Sequence, residues 1–143
     1  MLQIQFPEPD FKIKLVDGRE QIFDTIRKRW VRLTNEEWVR QNFIQYLVRN
    51  KNYPASLISI EKEIVLHEVK KRYDIAVYKN AIPWLLVECK EMNVPLTENV
   101  LHQLLRYNAN MLAEYLVITN GKQTFGWKIL NGNFVEIDVL PDW

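Results

Sequence analysis

The stretch that decides the fold is Trp84-Leu85-Leu86-Val87-Glu88-Cys89-Lys90, read with the shorter run Tyr73-Asp74-Ile75-Ala76-Val77-Tyr78 just before it. Four apolar residues in succession, Trp84 to Val87, describe a strand buried on both faces. Glu88 and Lys90 at its end are costly to bury unless they are paired, bind a metal or reach water. Side chains alternate along a strand, so Glu88 and Lys90 share one face while Cys89 points the other way, into the core. If Lys79–Pro83 is the loop and Tyr78 pairs with Trp84, counting back four residues sets Asp74 opposite Glu88. Directly opposed side chains have Cβ atoms only about 4.5–5.5 Å apart. Two carboxylates forced together repel and push one towards protonation, and a divalent cation relieves the conflict. Hard oxygen ligands with open positions suit Mg²⁺ or Mn²⁺. The Lys90 ammonium beside them would orient a water and stabilise charge developing on a phosphodiester.

Working outward, Phe11–Phe23 reads as a β-hairpin turning at Asp17-Gly18. A basic link containing Trp30 follows. Thr34 and Glu37 then match a capping box, opening a helix that runs to about Arg49 with Val39, Phe43, Tyr46 and Leu47 inward. Ile58–Leu66 is a further strand, and Thr97 caps a second helix over about 98 to 113. Its inward residues are Leu101, Leu104, Leu105 and Leu112. Tyr115–Thr119 is a short apolar strand, and Phe125–Leu130 with Phe134–Val139 forms a hairpin around Asn131-Gly132-Asn133. Strands and helices mixed around one sheet give an α/β or α+β class. The 143 residues make a single domain, 1–143, with an N-terminal hairpin at about 11–23 and a core at about 30–139.

Bulk properties narrow the function. No run approaches the roughly 18 apolar residues of a membrane helix, the N-terminus lacks a signal-peptide pattern, and one cysteine forms no internal disulfide. A cytoplasmic protein without a membrane partner is the expectation. Net charge is only +1, but basic residues cluster at Arg27, Lys28, Arg29 and Arg32 and again at Lys70, Lys71 and Arg72. These groups could hold a phosphate backbone. On the second helix, Gln103 and Tyr107 lie four apart on one face, with Arg106 beside Gln103.

Asp74, Glu88-Cys89-Lys90 and Gln103-Leu-Leu-Arg-Tyr107, in that order, resemble the successive motifs of the PD-(D/E)XK nuclease superfamily and its Gln-x-x-x-Tyr element. Together with Glu36–Gln41, Arg72–Tyr78 and Val117–Gly121, they resemble the N-terminal nuclease domain of type I restriction enzyme R subunits, over roughly residues 20–121. The resemblance implies a restriction-endonuclease-like mixed β-sheet flanked by α-helices, and Mg²⁺-dependent DNA cleavage. It carries Asp74 and Glu88 over as metal ligands, with the Cys89 backbone carbonyl. Lys90 would assist the water, and Gln103 and Tyr107 would support the substrate and the lysine. The helical acid of the family maps onto Glu37, for which the capping box is an equal explanation. Arg40, Lys70, Lys71, Arg72, Arg106 and Tyr107 would then face the nucleic acid.

R subunits carry a helicase motor behind this domain, but no Gly-x-x-x-x-Gly-Lys-Ser/Thr loop occurs here, so ATP-driven translocation is not expected of this chain. The alternatives are a non-catalytic nucleic-acid-binding module of the same fold and a nuclease for RNA or branched DNA. A homodimer or a separate motor subunit is a possible partner besides DNA itself.

Overall fold

Asp17 and Gly18 both take positive φ, 51° and 76°, the mirror-type two-residue turn whose twist matches the strands it joins. They connect β1 (Ile13–Val16) to β2 (Arg19–Asp24), and β2 pairs on its other edge with β3 (Arg29–Arg32). The basic link around Trp30 is therefore a strand of a small three-stranded antiparallel sheet. The computed structural model describes residues 1–143, leaving aside the side chain of Leu66.

Helix α1 (Asn35–Arg49) starts as the sequence predicts, with the Glu37 N–H donating to the Thr34 hydroxyl at 3.0 Å. The other half of the capping box is not used, because the Glu37 carboxylate points elsewhere. A short 3₁₀ turn at Ala55–Leu57 leads into β4 (Ile58–Leu66), β5 (Val69–Lys79) and β6 (Ile82–Cys89). Helix α2 (Glu98–Tyr107) crosses over to β7 (Tyr115–Thr119), and β8 (Thr124–Leu130) and β9 (Asn133–Ile137) complete the chain. The six strands lie in sequence order in one sheet, antiparallel except for the parallel β6–β7 pair. A long connection through a helix is what a parallel pair requires. The class is α+β, a mixed six-stranded sheet with a three-stranded sheet and two helices.

All four residues from Trp84 to Val87 are buried, as their sequence demands. Val39, Phe43 and Leu47 of α1 pack with Ile75, Val77, Leu85 and Val87 on one face of the sheet. Leu101 of α2 packs with Ala76, Leu86, Leu116 and Ile118 on the other. Helix α2 is shorter than its apolar pattern suggests: Asn108 caps it, and Leu112, expected inward, is exposed. No helix of the described residues is long and apolar enough to cross a membrane.

Candidate active site

The β5–β6 turn is two residues, Asn80 and Ala81, both at positive φ, rather than the five-residue loop expected. A bulge between Val77 and Tyr78 leaves Trp84 as the extra residue on β6. The two departures cancel. Val77 pairs with Leu85 and Ile75 with Val87, so Asp74 comes level with Glu88 one step further along.

The carboxylates nevertheless do not share a face. Pairing with β4 runs from Ile60↔Ile75 to Lys62↔Tyr73 and skips Glu61 and Asp74, with Glu61 at φ 52°. Ile60 and Ile75 pack on the α1 side, whereas Ile64 and Tyr73 pack on the α2 side. The strands thus exchange faces at Asp74. Its carboxylate closes the end of the β5–β6 ladder: Oδ2 accepts the Cys89 N–H at 2.8 Å, and Oδ1 accepts Arg40 of α1 at 2.8 Å.

Glu88 turns to α2. Its Oε1 accepts the Asn108 amide at 3.1 Å, which also donates to the Leu104 carbonyl at 2.8 Å. The Asn108 oxygen accepts the buried Tyr73 hydroxyl at 2.7 Å. Burial raises the Glu88 carboxyl above its ordinary range; the Asn108 bond and the Lys90 charge oppose this, and Asp74 adds to it. The two acids therefore sense one another while being held by different helices.

Lys90 lies just past β6, half-buried, with its N–H donating to the Thr119 carbonyl at 2.8 Å. Its charge acts on both Glu88 and Glu36. Glu36, in the first turn of α1, is raised by burial and then by the charge of the Asp74 carboxylate. The Arg40 guanidinium stands beside both carboxylates, 2.8 Å from Asp74 and 3.5 Å from Glu36, and offsets their repulsion. Sequence reasoning passed over Glu36, although it stands one helical turn before Arg40 on the same face.

Glu37, onto which the resemblance maps the helical acid, is engaged away from Asp74. It accepts from Arg27 at 2.8 Å, Arg40 at 2.8 Å and Gln41 at 3.1 Å. Asp24, fully buried, accepts the N–H groups of Ile26 and Arg27, the Arg27 guanidinium and the Gln41 amide. A chain of charge runs from the three-stranded sheet through Asp24, Arg27, Glu37 and Arg40 to Asp74. Two expectations are corrected here. Arg40 is 5% exposed and Arg27 is held by carboxylates, so neither offers a free guanidinium to a phosphate.

The remaining expected site residues sit outside this network. Gln103, Arg106 and Tyr107 are exposed on α2, and Lys70 and Arg72 are exposed on β5. Lys71 lies over the Tyr107 ring, 4.3 Å from its centroid, and donates to the Tyr107 carbonyl. Cys89 is buried in the α1-side core, its thiol pushed up well above its usual range by burial.

Oxygen donors from Asp74, Glu88 and Glu36 are of the kind that Mg²⁺ or Mn²⁺ prefers. Among the described residues, no three His, Cys, Asp or Glu side chains converge as a ready metal cage. A cation would therefore have to draw on backbone oxygen and water as well.

The family model of the type I restriction enzyme R protein N terminus matches residues 35–141. The chain belongs to this family. The matched segment of the R-protein N-terminal domain runs from the start of α1 to beyond β9 and contains Glu36, Asp74, Glu88 and Lys90. Asp24 and Arg27 lie before it, so part of the ion-pair network comes from outside the matched segment. Neither the curated proteins nor the solved structures give a match.

Proposed function

We propose that this R-protein N-terminal domain is a Mg²⁺-dependent endonuclease of the PD-(D/E)XK type, hydrolysing phosphodiester bonds of DNA. The observation that carries the proposal is that Asp74 comes level with Glu88 at the open end of the β5–β6 ladder, near enough to Glu36 and Lys90 for their charges to act on one another. Asp74 and Glu88 are the metal ligands, joined by the Cys89 carbonyl. Glu36 serves as the helical acid in place of Glu37, whose carboxylate is engaged by two arginines. When bound, the cation supplies Lewis acidity and neutralises charge on the phosphate oxygens. Lys90 would orient the attacking water, whose oxygen forms the new P–O bond as the ester P–O bond breaks; the water's proton passes to solvent, and the departing sugar oxygen takes one up to leave as a hydroxyl. Gln103 and Tyr107, exposed on the neighbouring helix, hold the substrate strand. DNA is the partner. Homodimerisation or a separate motor subunit would supply double-strand cutting or movement.

A second reading is a non-catalytic nucleic-acid-binding module. One observation favours it: the Arg40 guanidinium already balances Asp74 as a fixed internal cation. Nicking of supercoiled plasmid with Mg²⁺ or Mn²⁺ separates the two. The nuclease reading expects cleavage that Asp74→Ala, Lys90→Ala and EDTA each abolish. Intact plasmid, with no Mn²⁺ binding by calorimetry that Asp74→Ala removes, would transfer the assignment to the binding module.

A further inference from the structure

Beyond Ile75, β5 runs on without β6. Residues Val69–Tyr73 pair with β4 alone, so β4 and β5 end in a two-stranded ribbon directly continuous with the candidate active site. Its two faces differ. One packs on the domain: Ile64 and Tyr73 join the α2-side core, and Lys71 reaches Tyr107. The other carries Glu63 opposite Arg72 and Val65 opposite Lys70, and all four are exposed.

Exposure of 56% at Val65, on the open face of a well-paired strand, leaves an apolar side chain uncovered. Among the described residues, neither Lys70 nor Arg72 takes part in an ion pair, in contrast to Arg27 and Arg40. Two cations outside any ion pair, beside an acid and a branched apolar group on a two-stranded support, form a pattern suited to base edges.

We propose that the open ribbon face, Glu63, Val65, Lys70 and Arg72, enters the major groove of duplex DNA and sets the register of the strand at Asp74. The inference rests on the nucleic-acid part of the function proposed above. The major groove of B-DNA, about 12 Å wide, admits a two-stranded β-ribbon. Arg72 can pair bidentately with the O6 and N7 of guanine, Glu63 can accept from the cytosine amino group, and Val65 can meet a thymine methyl. Lys70 serves a phosphate or a second guanine. Arg72 precedes Asp74 by two residues, which at about 3.3 Å per residue is roughly 7 Å of strand. A base pair held by Arg72 therefore fixes which phosphodiester lies at the carboxylates. A-form RNA closes this groove to side chains, so the face commits the partner to duplex DNA.

The test is fluorescence anisotropy of the full chain with a labelled DNA duplex and the matching RNA duplex, over a salt series. Arg72→Ala and Lys70→Ala are compared with wild type and with Lys12→Ala, a charge-matched change on the exposed N-terminal segment. Thermal melts confirm that each variant folds. The ribbon reading expects Arg72→Ala to weaken DNA binding roughly ten- to a hundredfold. Lys70→Ala should flatten the logarithmic salt slope by about one, and Lys12→Ala should change neither quantity. Wild type should also shield guanine N7, in the major groove, from methylation. Wild-type affinity in both ribbon variants, or equal binding of duplex RNA, overturns the ribbon and leaves the nuclease assignment standing. Failure of wild type to bind duplex DNA overturns both.

Discussion

Replacing Arg40 with methionine tests how the candidate site is held together. The guanidinium is 5% exposed and donates at 2.8 Å to both Glu37 and Asp74. Removing one partner of a buried ion pair costs about 3–5 kcal/mol, because the other charge is left without compensation. Here the lower end applies. Glu37 keeps Arg27 and Gln41, and the Asp74 side chain is 20% exposed and keeps the Cys89 N–H. A loss of about 3 kcal/mol in a domain of this size lowers the melting midpoint by roughly 10 °C. The same change frees Asp74 Oδ1, so Mg²⁺ should recover part of the loss. A ligand at a hundred times its dissociation constant returns about 2.7 kcal/mol. Thermal melts followed by circular dichroism, with and without Mg²⁺, read both effects. A midpoint drop below about 2 °C would refute the account of Arg40 as the internal counter-cation. So would an equal Mg²⁺ response in wild type and Arg40→Met.

Three further outcomes follow from the geometry. Glu88 has its carboxyl raised by burial, so its contribution to stability is full below the ordinary carboxylate range and is lost as pH rises through the folded-state value. Glu88→Gln stays neutral and should melt higher than wild type at pH 7, with the gap closing as pH falls to about 4. Asn108→Ala strands the Tyr73 hydroxyl and Glu88 together and should cost about 1–3 kcal/mol in urea unfolding. Adding Tyr73→Phe should then cost much less than it does alone, because the two share one network. Thr34→Ala removes only the α1 cap, about 1 kcal/mol, and should leave plasmid nicking unchanged because the first turn of α1 stays tied to the site through Arg40, which binds both Glu37 and Asp74.

The elements that sequence reasoning found are those fixed by local chemistry. Asp17-Gly18 names its turn, Thr34 names its helix start, and the Trp84–Val87 run names its buried strand. The β5–β6 turn was misread because Ala81 gives no sign that it adopts a left-handed φ of 64°. The level of Asp74 with Glu88 came out right only because the Val77/Tyr78 bulge offset that error. β3 was hidden by its two arginines, and the true end of α2 by an apolar pattern that continues past its asparagine cap. Alternation placed Glu88 and Cys89 on opposite faces, but the directions of Asp74 and Glu37 were not legible. The exchange of faces at Glu61 and Asp74 depends on pairing with β4, and Glu37 is drawn away by Arg27 from a separate sheet. A capping motif specifies a backbone bond and says nothing of a distant guanidinium.

The lone thiol has a practical consequence. Cys89 pairs with Thr119 on the single parallel seam of the large sheet, where two antiparallel meanders, β4–β6 and β7–β9, are joined side by side. A reagent reaches the sulfur only when that seam parts from the core above it. The rate of thiol labelling under native conditions is thus a clock for the opening of the α1-side core over that seam. With one cysteine in the chain, the signal needs no engineered background. Asp74 binds the backbone N–H of that same residue, so the clock runs directly beside the candidate site.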